Sequence, residues 1–433
     1  MLAPRAKRMI FVFMQGGPSH VDTFDYKPLL NEKHGEKIGF RDARKLAKTG
    51  MSGQETVMKS PWAFARYGET GRWVSDLFPE IARHVDDLCF VHSLHTEGVA
   101  HGPSTIFLHT GSTNFVRPSM GAWISYGLGT ENQNLPAFIT ISPSNANGGP
   151  RNYGNAFLPA AYQGTTIGRA DQPTRDARIH DITSATMLAG EQRRQLDLFQ
   201  SLNGSQISRR AAAAGGGTDE LEAVVASYEL AWKMQRNAPE LLDLGQETRE
   251  TQELYGIGTK ETDDFGRQCL LARRMAEAGV RFIQVNYADN GANPRWDQHS
   301  KIQIHETHAR ATDKPVAGLL ADLKARGLLE DTLVWWGGEF GRNPFSQGSD
   351  GRDHNPKGFT HFLCGAGIRA GLAYGATDEF GHEAVENKVH MHDLHATLLH
   401  ILGLDHEKLT YQYAGRNFRL TDVHGRVVHD ILS

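Results

Sequence analysis

TLVWWGGEFGRNP, residues Thr332–Pro344, is a strand-like run that stops at two glycines and carries an acid and an arginine at its tip. Thr332–Trp336 has no polar alternation. That pattern suits a strand buried on both faces, as in a sheet covered by helices on each side and therefore largely parallel. The same reading extends to Met9–Met14, Leu88–His92, Ala137–Ile141, Val280–Asn286 and Phe359–Cys364, each a short apolar run bounded by turn residues.

Helical periodicity fills the intervals. Thr218–Gln235 opens with Thr218, a residue type that caps helix starts. Asp263–Ala278 stops at Gly279 and Ala317–Arg326 at Gly327. His392–Leu402 puts Leu394, Leu398, Ile401 and Leu402 on one face. Strands alternating with helices predict an α/β fold. Lys45–Ser60 reads as a polar loop and Arg209–Gly217 as a linker, and no internal repeat is visible. The expectation is one large domain over residues 1–433, with a helical insertion at about 180–275.

Composition narrows the function classes. The 433 residues are 39% hydrophobic and 22% charged, which is a globular balance. A net charge of −4 gives no electrostatic case for nucleic acid or an anionic membrane surface. No run of 18 apolar residues occurs, so no membrane span is expected. Cys89, Cys269 and Cys364 lie far apart in apolar surroundings, and they read as core residues rather than a zinc ribbon or disulfide framework. The basic-then-apolar start, MLAPRAKRMIFVFM, flows into a Gly-Gly-Pro turn without a small-residue cleavage site and reads as the first strand.

Polar residues collect after the strands. Met9–Met14 is followed by His20, Asp22 and Asp25; Leu88–His92 by His95, His101 and Ser104; Val280–Asn286 by Asp289, Asp297 and His299; and Thr332–Trp336 by Glu339, Arg342, Asp353 and His354. In an open parallel sheet the carboxyl ends of the strands share one edge, where ligands bind. Carboxylates and neutral imidazoles gathered there suit a divalent metal ion and require no cysteine. Singly, each residue has an ordinary structural reading: a hydrogen-bonded histidine, a helix cap at Ser104, an i,i+3 surface pair at Glu339–Arg342.

The motifs FVFMQGGPSHVDTFDYKP, HTEGVAHGPSTIFLHTGS, NPRWDQH, WWGGEFGRNP with GRDHNPKGFTHFLCGAG, and HMHDLHATLLHILGL together resemble the DUF1501 family, in its order and over nearly the whole chain. That resemblance places the chain in the alkaline phosphatase-like, or sulfatase-like, superfamily. It implies a three-layer α/β/α sandwich, a mostly parallel central sheet and a site for one or two divalent ions (Zn, Mn or Ca) at its carboxyl edge. It implies Asp297, His299, Glu339 and His354 as metal ligands, with Asp22 or His20 standing in for the acid missing after the first strand. The expected chemistry is hydrolysis of a phosphate or sulfate ester on a small molecule or glycan. Ser104 or an activated water would attack, Arg342 would clamp the anion, and His101 or His95 would protonate the leaving group. Phe340, where the superfamily carries a His, and the Gln15-Gly16-Gly17 turn, where it carries an Asp, depart from the pattern. They keep open an exported binding protein that retains the fold and one metal. A metal-dependent phosphosugar mutase or transferase also stays open. Relatives usually carry an export signal, so the implied location is periplasmic or extracellular.

Overall fold

The computed structural model describes residues 2–41, 53–179, 189–214, 228–230, 232–234 and 239–433. Nine strands form its central sheet: β1 (Arg8–Met14), β2 (Leu88–His95), β3 (Phe138–Ile141), β4 (Thr165–Ile167), β5 (Phe282–Tyr287), β6 (Thr332–Gly337), β7 (Phe359–Gly365), β8 (Ala373–Tyr374) and β9 (Val389–His390). Their spatial order is β8-β2-β7-β6-β1-β5-β3-β4, with β9 also on β2. All pairs are parallel except those made by β7, which runs against both β6 and β2. All six strands expected from the sequence are present. The apolar run at Phe359–Cys364 carries no mark of its reversed direction, because a strand buried on both faces looks the same either way.

Alternate residues of β1 enter two different cores. Met9, Phe11 and Phe13 face α1 (His101–Thr110), α2 (Met120–Leu128) and α6 (Met391–Ile401). Ile10, Val12 and Met14 face α4 (Asp263–Glu277) and α5 (His305–Ala325). Helices on both faces of a mostly parallel sheet make the three-layer sandwich. Strand β6 divides its tryptophans the same way: Trp335 stacks on Phe11 at 3.8 Å between centroids, and Trp336 stacks on Phe362 at 5.1 Å. The three cysteines are free and buried in these cores, and burial pushes the Cys89 thiol up to about 12.

Some element readings change. The expected helix Ala317–Arg326 is the end of the longer α5, whose interior Pro315 masks its first half in the sequence. Gly53–Thr56, inside the expected loop Lys45–Ser60, is a strand paired with Lys37–Phe40, while 42–52 lie outside the described residues. Residues 209–214 of the expected linker are the end of α3 (Ala189–Ala214). Of the expected helix Thr218–Gln235, only 228–230 and 232–234 are described, and they are helical. Neither α1 nor α2 stood out as an amphipathic stripe, because α1 is buried almost throughout. Among the described residues no helix is long and apolar enough to cross a membrane.

Candidate metal centre

Strands β1, β2, β5 and β6 all run the same way, so their carboxyl ends share one edge. Asp297 and His299 lie on the irregular segment after β5, and this segment is laid directly over the turn after β1. Gly16 there has φ +112°, and a Cβ on it would fall 2.6 Å from the backbone nitrogen of Trp296 and 2.9 Å from that of Asp297. The glycine therefore permits both the turn and the close crossing of two chains. The Trp296 N–H donates to the Gln15 carbonyl at 3.2 Å across it. His101 is the first residue of α1, the helix that follows β2. His354 arrives through a two-residue antiparallel ladder in which Arg342 pairs with His354 and Gly341 with Asn355.

These elements bring four side chains together. Oδ1 of Asp297 lies 3.1 Å from Nε2 of His101, 3.0 Å from Nε2 of His299 and 3.1 Å from Nε2 of His354. One donor atom from each residue lies within 4.8 Å of all the others, the only such group of three or more His, Cys, Asp or Glu residues among those described. The opposite nitrogen of each ring is committed elsewhere. His101 Nδ1–H donates to Glu339 Oε1 at 2.6 Å, and His354 Nδ1–H donates to the Val99 carbonyl at 2.9 Å. His299 Nδ1–H donates to Gln347 Oε1.

That arrangement poses an electrostatic question. A neutral imidazole that gives away its Nδ1–H keeps a lone pair on Nε2. With all three rings neutral, three such lone pairs would face a carboxylate oxygen, acceptor against acceptor. Protonating all three rings would crowd three cations into one buried site. Burial, the Arg342 charge and His101 push His354 down to about 3 despite its contact with Asp297, so its ring is neutral near pH 7. His101 is raised, because Asp297 and Glu339 together outweigh its burial. Burial opposes the charge on Asp297, but the three imidazoles and Arg342 hold its carboxyl far below the usual range. A single divalent cation at the centre would give all four atoms a partner at once. Ligand atoms around such an ion, each at about 2.0–2.2 Å from it, stand roughly 3.0–3.5 Å apart, and the observed separations from Asp297 fall at the short end of that range. The outer partners are of the kind that orient metal-binding histidines. The donor set fits a metal ion.

The other expected site residues are not among the four that converge. Glu339 is behind His101 rather than among the converging atoms, and both its oxygens accept the Gly16 N–H, at 3.0 and 3.1 Å. Arg342 is fully buried. It donates to Asp297 Oδ1 at 2.8 Å and to the carbonyls of Gly17, Arg352, Trp296 and Gly16, so its fork is spent inside the protein. Asp22 is buried against Arg352, 2.6 Å from its Nε. His20 faces the Gly381 carbonyl at 2.6 Å, with its ring over Gly341. Ser104 is inside α1 and buried, and a Cβ on Gly98 would lie 2.1 Å from its Oγ, so that backbone covers the hydroxyl. His95 packs on His390 at 5.0 Å between centroids, and burial pushes it down to about 4, which leaves it neutral near pH 7. Phe340 lays its ring 4.3 Å from that of His354 and 5.1 Å from that of His101, an apolar wall to the centre. Sequence reasoning missed Gly16, Val99 and Gln347; only the unusual Gln-Gly-Gly after a buried strand signals the first.

The family described as "Protein of unknown function (DUF1501)" matches residues 6–432. No curated protein matches the sequence. Solved structures that resemble the fold include the lipoteichoic acid synthase LtaP from Listeria monocytogenes, at 8% identity and TM-score 0.40, covering 96% of this chain and 75% of that one. They also include the PsFucS1 sulfatase from Pseudoalteromonas sp., at 11% identity and TM-score 0.38, covering 93% and 68%. A third is a protein in the alkaline phosphatase superfamily from Vibrio parahaemolyticus, at 8% identity and TM-score 0.38, covering 94% and 73%.

Proposed function

The chain belongs to the DUF1501 family, and from the cluster around Asp297 we propose that it is a one-metal hydrolase of sulfatase-like type, acting on a phosphate or sulfate ester of a small molecule or glycan. One observation carries the reading: three imidazoles each give their Nδ1–H to an acceptor and turn Nε2 onto one carboxylate oxygen. His101, Asp297, His299 and His354 would hold the ion. Three nitrogens and one oxygen suit a transition ion such as Zn, Mn or Fe better than Ca, which prefers an all-oxygen shell. When bound, the ion supplies Lewis acidity, polarising an ester oxygen and lowering the pKa of water. The chain's own part is to fix the donors. Glu339 orients His101, Arg342 pins Asp297, and Phe340 keeps one side dry. With the Ser104 hydroxyl covered by Gly98, water is the nucleophile in this reading.

The internal spending of Arg342 favours a second reading, a metal-holding binding protein without turnover, because no work on a substrate anion is left to that guanidinium. Elemental analysis of purified wild type beside Asp297→Ala, followed by an assay of phosphate and sulfate esters, separates them. Near-stoichiometric metal lost in the variant, with metal-dependent ester cleavage, supports the hydrolase. The same metal result without cleavage supports the binding protein. A wild type that takes up no metal after reconstitution refutes both.

A further inference from the structure

We propose that His299 is the yielding member of the centre: it leaves the cluster toward the 343–353 segment and opens the side from which substrate and water reach the ion. This rests on the metal-centre reading above. Four protein donors complete a tetrahedral shell, which is the hallmark of a structural site, whereas a catalytic site keeps a position open. One donor therefore has to give way, or the ion must add a ligand on the side with room.

The four donors are not held alike. The Asp297 side chain is 1% exposed and gripped by Arg342 at 2.8 Å. The His354 side chain is 2% exposed, and its Nδ1–H is tied to a main-chain carbonyl, which cannot rotate away. The His101 side chain is 8% exposed, rooted at the start of a helix and backed by Glu339, which is itself anchored on the Gly16 N–H. The His299 side chain is 26% exposed and lies on irregular backbone. Its Nδ1 faces two side chains from one loop, Gln347 Oε1 and, at 3.5 Å, Asp353 Oδ1. Gln347 is a side chain that can turn away, so this tether can loosen and release the ring, while Asp353 is the firmer of the two because its Oδ1 also accepts the His354 N–H at 2.8 Å. The backbone need not move: the His299 carbonyl and Ser300 nitrogen press on Gly351, where a Cβ would fall 2.0–2.4 Å from them, so the loop anchors the main chain while the ring turns.

The test uses cobalt(II) as the probe ion in the full-length protein, with its visible spectrum as the readout and sodium azide as a small entering ligand. We expect His299→Ala to keep one cobalt with affinity reduced only about 10- to 100-fold, no more than the loss of an outer support costs a metal site. We expect it to bind azide at least 10-fold tighter than wild type. His354→Ala and His101→Ala should lose the ion altogether. Gln347→Ala, which leaves all four donors in place, should tighten azide binding in the same direction and guards against a folding defect in the first variant. If His299→Ala loses cobalt as completely as His354→Ala, or if Gln347→Ala leaves azide binding unchanged, His299 is a fixed ligand and the proposal falls. If wild type itself takes up no cobalt, it is the metal-centre reading that fails, and the proposal fails with it.

Discussion

Glu339 takes the Nδ1–H of His101 at 2.6 Å and a backbone N–H from the turn after β1, so one buried carboxylate fixes both a ring and a loop. Replacing it with Gln keeps the volume and removes the charge that makes His101 a stronger donor. Glu339→Gln is expected to fold normally and to lose about 10- to 100-fold in metal affinity, read by competition with a chromogenic chelator; unchanged affinity would reduce Glu339 to a packing residue. Arg342 tells the complementary story. Arg342→Met leaves the Asp297 carboxylate without its buried cation and orphans four carbonyls, so urea unfolding should register a loss of about 3–5 kcal/mol. An effect under about 1 kcal/mol would mean that water replaces the guanidinium. At this scale the sequence was half legible. Asp297, His299 and His354 stood out because acids and histidines follow buried strands. The places of Glu339 and Arg342 did not, because both lie beyond the end of β6 at Gly337, one outside any strand and one in a two-residue ladder, where residue type fixes no direction.

The turn after β1 is an element whose shape the centre depends on. At Gly16 the φ of +112° strains any L-residue, and the Trp296 nitrogen stands 2.6 Å from where its Cβ would be. Gly16→Ala should therefore push the 296–297 backbone outward. Metal uptake is expected to fall by at least 10-fold while far-UV circular dichroism stays that of wild type; a variant that binds as well as wild type would show that the crossing tolerates displacement. Strand β6 makes a different demand. Trp335 is buried between Phe11 and His361, to which its Nε1–H donates at 3.1 Å, and Trp335→Ala should cost about 3–5 kcal/mol in denaturant titration. The opening stretch was readable as a strand because nothing in it alternates. Strand β7 was readable for the same reason, but its reversal was not. Direction is set by connections, and the short ladder joining Gly341–Arg342 to His354–Asn355, which carries His354 to the centre, has too few residues to leave a periodic signal.

Across the whole molecule, the two cores were legible in outline, since runs apolar on both faces require covering on both sides. What the sequence hides is how many polar rings those cores enclose, because a buried histidine is written with the same letter as an exposed one. His109, His361 and His395 are such rings. Each has an N–H donating at 2.8 Å to a carbonyl, of Thr105, Gly338 and Leu108 respectively. Burial lowers His109 and His395 to about 4 and His361 to about 3. In the unfolded chain the same groups protonate at about 6.5. The sign follows: between about pH 6.5 and 4 the unfolded state binds protons that the native state refuses, so acid draws the equilibrium toward unfolding. Stability is full above about pH 6.5 and falls as the pH drops, until the folded-state groups themselves protonate near pH 4 to 3. These three protons alone contribute a limiting slope of roughly 4 kcal/mol per pH unit, and other rings that burial lowers to about 4, among them His92, His95 and His308, add to it. Urea unfolding at pH 7.5, 6 and 5, with chelator present so that ion release does not contribute, should give falling midpoints. His361→Gln, which keeps a hydrogen-bonding side chain but cannot titrate, should remove roughly 1.4 kcal/mol per pH unit from the slope. A midpoint level from pH 7.5 to 5 would mean that the carbonyl partners admit the charged rings, and that the cores tolerate three cations.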